Sequence, residues 1–210
     1  FCGLAKRWTY LNSLPGVPVD QAEIVPVVLK LSGIGTIFSS ELTLANTGST
    51  AADLTLTYTS EPSIVAGTVP VGGSVAQRVE AGQQLLIGDV IAFLKGRGVP
   101  VGAEDVGTLR VSYTSASASP TVFAQARTTS PSGIGRAGVG YGAPSIASLG
   151  ASKVAVYGLR QNPSDRSNLA LLNAGQAGPA TFRVTLSSGS PGDARHVALV
   201  PDVTLQAGEW

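Results

Sequence analysis

The amino-acid sequence predicts an all-β protein made of two tandem β-sandwich domains, the second of them incomplete. Two observations support this prediction. Charged residues make up 13% of the chain, about half the usual share, whereas Thr, Val, Ser, Ala and Gly are abundant. That composition is typical of short strands joined by many turns. The second observation is that one alternating pattern occurs twice, at residues 38–58 and again at 166–186.

Each copy of this repeat contains an alternating strand, an Asn-x-Gly turn and a second alternating strand. The turn is residues 46–48 in the first copy and 173–175 in the second. Because successive side chains of a strand point to opposite faces, the alternation places the apolar residues on one face of a sheet. The apolar residues of the first copy are Leu42, Leu44, Leu54, Leu56 and Tyr58, and their counterparts are Leu169, Leu171, Phe182, Val184 and Leu186.

The first repeat is expected to span residues 23–130. Its opening strand is indicated by the alternation of Val25, Val27, Leu29 and Leu31, and its closing hairpin by residues 108–113 and 121–128. One short helix is predicted near 87–95, because Ile87, Val90, Ile91 and Leu94 recur at helical spacing. A single helix crossing the end of a sandwich is the simplest interpretation.

The sequence therefore predicts four segments. These are an N-terminal extension and candidate donor strand (1–22), the first β-sandwich (23–130), a Gly/Ser/Ala-rich linker (131–152) and a partial second β-sandwich (153–210). Within the second sandwich, 207–208 match the Ala-Gly pair at 81–82. The first repeat continues past this pair with the helix and the closing hairpin, and the second repeat has no equivalent.

A half sandwich exposes strand edges and an apolar face, which natural proteins avoid. Completion by further chain is one alternative, because the sequence begins at Phe1, contains no Met and is expected to be a processed chain or part of a longer one. The other alternative is completion by strands of a neighbouring subunit, as in donor-strand complementation. The candidate residues of the assembly interface are Trp8, Tyr10, Leu11 and Trp210.

Composition and charge argue against several classes of partner. The net charge is +1 and the 14 basic residues are scattered, so the basic stripe of a nucleic-acid-binding protein is absent from the sequence. The longest apolar run, residues 24–29, is too short for a membrane span and contains Pro26. The single cysteine, Cys2, excludes an internal disulfide and a Cys-based zinc site within the sequence.

Three motifs of the sequence could indicate a catalytic, cofactor-binding or metal-binding site. Residues 133–138 spell G-x-G-x-x-G, but the following Gly- and Pro-rich residues do not predict the helix that dinucleotide binding requires. His196 is the only histidine, and no G-x-S-x-G elbow accompanies it. The adjacent acids Glu104 and Asp105 could contribute to a calcium loop, but no Asp-x-Asp-x-Asp ladder supports one. We therefore expect no cofactor and no enzymatic activity.

Several phrases of the sequence, among them SSELTLANTG, AGQQLLIGDVIAFL and VYGLRQNPSDRSNLALLNAG, resemble tandem immunoglobulin-like β-sandwich repeats of secreted bacterial surface proteins. The resemblance covers most of residues 23–210. It implies an extracellular location at the bacterial cell surface and a role as a spacer, adhesion module or appendage, with no catalytic residues to carry over.

Two functions follow as expectations. The first is a non-enzymatic structural module or filament subunit, whose partner is another copy of itself or the rest of a longer chain. The alternative is a binding or adhesion module for glycan or protein, appended to a larger secreted protein. A binding module should present an aromatic platform or polar cleft on its loops. Trp8 and Trp210 lie at the ends of the sequence instead, which favours assembly.

Overall fold

The computed structural model describes residues 19–61, 71–115, 121–149, 154–160, 162–164, 167, 169–175, 178–187, 196–198 and 202–210. The chain divides into two compact units, which we name unit 1 (Phe1–Leu149) and unit 2 (Gly150–Trp210). Strands account for 56% and helices for 7% of the structure. The predicted all-β class is confirmed.

Unit 1 contains one antiparallel sheet of eight strands. Its strands are β1 (Val19–Gly33), β2 (Thr36–Asn46), β3 (Ala52–Ser60), β4 (Gly72–Val79), β5 (Gln84–Ile87), β6 (Asp105–Ser115), β7 (Val122–Ser132) and β8 (Gly135–Gly142). The order across the sheet is β4-β3-β6-β1-β2-β7-β8, and β5 pairs separately with β2. Strands distant in sequence are thus neighbours in the sheet.

Strand β1 lies between two halves of this sheet, which are β4-β3-β6 on one side and β2-β7-β8 on the other. It pairs with β6 from Val19 to Lys30 and with β2 from Lys30 to Gly33, and its register shifts between Val25 and Val28. Such an irregularity bends a strand, which lets both halves of the sheet contribute to one core. The buried core includes Leu42 and Leu44 of β2, Leu54, Leu56 and Tyr58 of β3, Leu109 and Val111 of β6, and Ala124 and Ala126 of β7.

The predicted helix is present as α1 (Val90–Gly96), which begins later than the sequence pattern suggested. Ile87 belongs to β5 instead, because its backbone pairs with Leu42 of β2. Asp89 is the N-cap, and its Oδ1 accepts a hydrogen bond from the backbone N–H of Ala92 at 2.9 Å. The predicted apolar face is buried, since Val90, Ile91 and Leu94 all lie in the core.

The segment predicted as a linker, 131–152, differs from that prediction in its first part. Residues 131–132 end β7, and β8 pairs with β7 along its whole length. A Cβ atom at Gly138 would lie 2.0 Å from the backbone oxygen of Thr128. Glycine here therefore serves close strand pairing rather than a flexible connection. A 3-10 turn, Ile146–Ser148, follows, and unit 1 extends to Leu149.

Unit 2 contains four short strands among its described residues. They are β9 (Ala180–Phe182), β10 (Thr185–Ser187), β11 (His196–Ala198) and β12 (Val203–Leu205), with β9 paired to β12 and β10 to β11. Residues 169–172, part of the first strand predicted for the second copy, are described without strand structure, as are 154–160 at the start of the predicted second sandwich. Their counterparts in unit 1, β1 and β2, pair extensively with β5, β6 and β7. Among the described residues of unit 2, the ladders are those of β9 with β12 and β10 with β11, and none involves 154–160 or 169–175.

Candidate assembly surface of the second repeat

The Asn-x-Gly turn of the first repeat is held by a buried side chain. Asn46 accepts a hydrogen bond at Oδ1 from the backbone N–H of Gly48 at 2.9 Å. Its Nδ2 donates to the backbone oxygens of Thr50 at 2.8 Å and Val79 at 3.1 Å. The side chain therefore ties the turn to the end of β4.

The second repeat reproduces all three contacts. Asn173 accepts at Oδ1 from the backbone N–H of Gly175 at 3.1 Å, and its Nδ2 donates to the backbone oxygens of Gly178 and Leu205, each at 3.0 Å. Asn173 is buried, as Asn46 is. The repeat identified in the sequence thus extends to the same hydrogen bonds on equivalent residues.

The second turn of the repeat is also shared. The backbone N–H of Asn46 donates to the oxygen of Gln83 at 2.9 Å, and that of Asn173 donates to the oxygen of Glu209 at 3.0 Å. Gly82 and Gly208 precede these acceptors with φ angles of 68° and 81°. Both adopt the left-handed conformation that favours glycine. The β9–β12 ladder is therefore the counterpart of the β3–β4 ladder.

A serine establishes which residues of unit 2 correspond to β1. Ser40 Oγ accepts a hydrogen bond from the backbone N–H of Leu29 at 3.0 Å, and Ser167 Oγ accepts one from that of Arg160 at 2.9 Å. The loop between donor and acceptor is shorter in unit 2, since the separation is 7 residues instead of 11. Counting back from these donors, Val156 takes the place of Val25 and Leu159 that of Val28.

Positions that form the core of unit 1 are apolar but exposed in unit 2. The exposed fractions are 57% for Val156, 43% for Leu159, 47% for Leu169 and 42% for Leu186, whereas their counterparts Val25, Val28, Leu42 and Tyr58 are each 0% exposed. We name these four exposed residues of unit 2 the open face. An apolar surface of this kind typically marks an interaction site.

The origin of the open face is visible in unit 1. There the equivalent residues are covered by the part of the chain that follows the second turn. This covering layer includes Ile87, Val90, Ile91, Leu94, Leu109, Val111, Val122, Ala124 and Ala126. The described residues of unit 2 include no counterpart of this layer, and the four residues of the open face are exposed there.

Trp210, one of the predicted interface residues, follows directly after the shared second turn. It takes the place of Gln84, the first residue of β5, which pairs with Ala45 of β2. Its indole Nε1 is buried and has no hydrogen-bond partner in the described part of the chain. The other predicted interface residues, Trp8, Tyr10 and Leu11, lie outside the described residues.

The three candidate functional motifs of the sequence lie on strands or turns of the described chain. Residues 133–138 lie on the β7–β8 turn and on strand β8. Asp105 Oδ1 accepts hydrogen bonds from the Tyr58 hydroxyl at 2.8 Å and the backbone N–H of Val106 at 2.9 Å. Burial and this contact raise the pKa of Tyr58 strongly, so the phenol remains protonated. His196 lies on β11.

The described residues show neither a metal-binding cluster nor a helix long enough to span a membrane. They contain no group of three or more His, Cys, Asp or Glu side chains placed to hold a metal ion. Within the same residues, every helix is too short to cross a lipid bilayer.

A second exposed apolar surface lies on unit 1 and was not recognised from the sequence. Both the β1–β2 and the β7–β8 turns carry Ser-Gly-Ile-Gly, and the isoleucines, Ile34 and Ile134, are fully exposed. Ser39 pairs with Thr129, which brings the two turns to the same end of the sheet. We name these two isoleucines the tip cluster. The duplicated tetrapeptide is the signal that could have revealed it.

A buried carboxylate on β1 was also missed. Glu23 is buried, and its Oε2 accepts a hydrogen bond from the backbone N–H of Ala124 on β7 at 2.8 Å. Burial raises the pKa of Glu23, and the hydrogen bond offsets part of that rise. A single Glu in an alternating strand gives no sequence signal for this contact, since its partner lies about a hundred residues away.

Comparison with known proteins finds no match among protein families, curated proteins or solved structures. The functional argument therefore rests on the geometry of the two repeats.

Proposed function

We propose that this protein is a non-enzymatic, extracellular structural module of a bacterial surface or filament-forming protein, built from immunoglobulin-like β-sandwich repeats. The open face is the observation that carries the proposal. The second repeat keeps the buried Asn173 and its three hydrogen bonds, yet leaves four core positions exposed. Because the hydrogen bonds of the repeat are kept while its core positions are exposed, the open face is suited to binding another polypeptide segment.

The energetics favour such a cover. Fully burying one Val, Leu or Ile side chain contributes about 1.5 to 3 kcal/mol, and the open face has four such residues, each roughly half exposed. Further chain or a neighbouring subunit could supply the cover. In either case a series of repeats joined in this way would form a continuous structural element.

The test uses the native protein from its source cells. Antibodies against unit 1 are applied to intact, unpermeabilised cells, and the intact mass and assembly state of the antigen are measured. We expect surface labelling, with the antigen either in multimers or in a chain heavier than 21.2 kDa. Antigen confined to the cell interior as a free monomer of that mass would contradict the proposal.

The tip cluster favours a second candidate function, a binding or adhesion module. Ile34 and Ile134 project from adjacent turns with no apolar cover among the described residues of unit 1. The test compares glycan-array and cell-surface binding of the wild-type protein with that of the double variant Ile34→Ser, Ile134→Ser. Specific binding that the double variant loses would support this alternative. Binding that both proteins share would count against it.

A further inference from the structure

We infer that the open face is covered by a segment with the residue pattern of 85–132, continuing the same polypeptide directly from Trp210 and adding counterparts of β5, α1, β6 and β7. The inference rests on the proposed function and identifies the partner of the open face. It follows from the hydrogen bonds that the two repeats share, and four steps lead to it.

The first step is the entry point. Glu209 makes the backbone contact to Asn173 that Gln83 makes to Asn46, so Trp210 occupies the position of Gln84. In unit 1 no residue separates this turn from β5, and Gln84 already pairs with β2. The backbone at Trp210 is therefore placed to begin a strand beside 169–172. This continuity favours a segment of the same polypeptide over a second copy.

The second step is the register. In unit 1, Leu42 lies between two partners, Ile87 on β5 and Ala126 on β7. Leu169 takes the place of Leu42 and is therefore expected to receive counterparts of both. Residues 169–172 would then acquire the strand structure that they lack alone, because a strand requires hydrogen-bonded neighbours.

The third step concerns a hydroxyl pair. Ser40 Oγ lies 2.6 Å from Thr128 Oγ1 on β7. Ser167 occupies the position of Ser40. Its Oγ accepts a hydrogen bond from the backbone N–H of Arg160, as Ser40 Oγ accepts one from that of Leu29. The covering segment is therefore expected to carry Ser or Thr at the position of Thr128, since a buried hydroxyl is stable only with a partner.

The fourth step is a difference between the repeats. Tyr58 donates to the buried Asp105, but its counterpart in unit 2 is Leu186, which cannot donate. A carboxylate at the position of Asp105 would lose that partner. The covering segment is therefore expected to have an uncharged residue there.

The experiment extends the 210-residue chain after Trp210 with a copy of residues 85–132 in which the copied Asp105 is changed to Asn. Hydrogen exchange of the backbone amides of 169–172 and binding of a hydrophobic dye are measured. We expect at least about tenfold slower exchange of these amides and loss of dye binding, because the new ladder protects them. The same extension with Asp105 retained should protect them less.

The matched control has the same length and carries Leu109→Asp and Val111→Asp in the appended copy. Those two residues belong to the buried layer of β6 in unit 1, so the control should leave the 169–172 amides unprotected. A second arm adds a free peptide of the same sequence to the unextended protein. We expect it to protect the amides less than the joined segment does at equal concentration.

Three results would overturn the inference. They are equal exchange in extended and unextended proteins, equal protection by the control extension, and protection of 169–172 in the unextended protein that rises with its own concentration. The last result would identify a second copy as the cover. If the extension fails while intact cells are still labelled, the structural role stands and only the identity of the cover is wrong.

Discussion

At the scale of single residues, a buried asparagine defines the repeat better than its apolar positions do. Asn46 and Asn173 make the same three hydrogen bonds, although the residues around them differ in exposure. The amide is suited to this place because it donates to two backbone oxygens and accepts from one N–H at the same time. Aspartate could not donate both bonds, and alanine could make none.

Asn46→Ala is expected to destabilise unit 1 by about 2 to 3 kcal/mol, because it leaves one backbone N–H and two backbone oxygens without their partner. Urea unfolding measures the change. Thr47→Ala is the matched control, since its exposed hydroxyl makes one contact with the backbone oxygen of Thr121. Equal stability of the Asn46 variant and the control would show that the side-chain hydrogen bonds of Asn46 do not stabilise unit 1.

Glu23 gives unit 1 a dependence on pH. Its pKa in the folded protein is raised by burial above the ordinary value of 4.5. Between that value and the raised one, the folded state binds more protons than the unfolded state. The free energy of unfolding therefore has a contribution from Glu23 that is present below the ordinary pKa and is lost as the pH rises through the raised pKa.

Glu23→Gln should remove this dependence. A glutamine oxygen can still accept the hydrogen bond of Ala124, but the side chain does not ionise. We expect the variant to become increasingly more stable than the wild-type protein as the pH rises from about 4 to 7. Urea unfolding at several pH values measures the difference, with the exposed Glu80→Gln as control. A difference independent of pH would rule out the buried carboxylate as its cause.

At the scale of elements, tertiary contacts decide where strands and helices begin. The apolar spacing of 87–94 fits a helix, but the pairing of Ile87 with β2 assigns it to β5. The Gly-rich 135–142 has the composition of a linker, yet it pairs with β7 over its whole length. The composition of a segment is compatible with more than one secondary structure, and the strands that pack beside it determine which one forms.

Gly138→Ala is expected to displace β8 from β7, because the new Cβ would overlap the backbone oxygen of Thr128. The cost should be about 1 to 3 kcal/mol, with loss of hydrogen-exchange protection on β8. Gly142→Ala on the same strand is the matched control, since a Cβ there meets nothing within 4 Å. Equal protection of β8 in the two variants would show that the close approach is unimportant.

Asp89→Ala is expected to destabilise unit 1 by about 1 to 2 kcal/mol through loss of the N-cap of α1. The variant also removes the ion pair in which Lys30 Nζ donates to Asp89 Oδ2 at 2.6 Å. Asp89→Asn keeps a capping oxygen but not the charge, and should cost less than about 1 kcal/mol. Thermal unfolding separates the two effects, and equal losses in both variants would assign the stability to the ion pair.

At the scale of the whole molecule, the two units differ in how much of their apolar surface is buried. Unit 1 has a continuous core supplied by both halves of its sheet. Among the described residues of unit 2, Leu205 and Asn173 are the buried ones. Since burial of apolar surface is the main favourable term in folding, unit 2 is expected to be much the less stable unit.

Limited proteolysis of the full chain should therefore cut within unit 2 first and leave a resistant fragment that contains unit 1. Mass spectrometry of the fragments locates the first cuts. The extended protein described above is expected to resist cleavage in unit 2, which makes it the natural comparison. Early cuts within β2, β3, β6 or β7 of the unextended protein would contradict this order of stability.

The amino-acid sequence is sufficient to predict the all-β class, the duplicated turn and the alternating apolar residues of each copy. These features depend on residues that are close together in the sequence, namely an apolar period of two for the strands and an Asn-x-Gly turn between them. Trp210 is predicted as an interface residue because it is an aromatic residue at the end of the sequence, and its buried indole is a finding of the structure.

The pairing of the segments is known from the three-dimensional structure and could not be predicted from the sequence. The tertiary structure placed β8 in the sheet, brought Glu23 to Ala124 and gathered the two Ser-Gly-Ile-Gly turns at one end. It also left 169–175 without strand structure despite a pattern like that of β2. The physical reason is that a strand depends on its hydrogen-bonded neighbours, which come from distant parts of the chain. The same pattern therefore forms a buried strand in unit 1 and a segment without strand structure in unit 2.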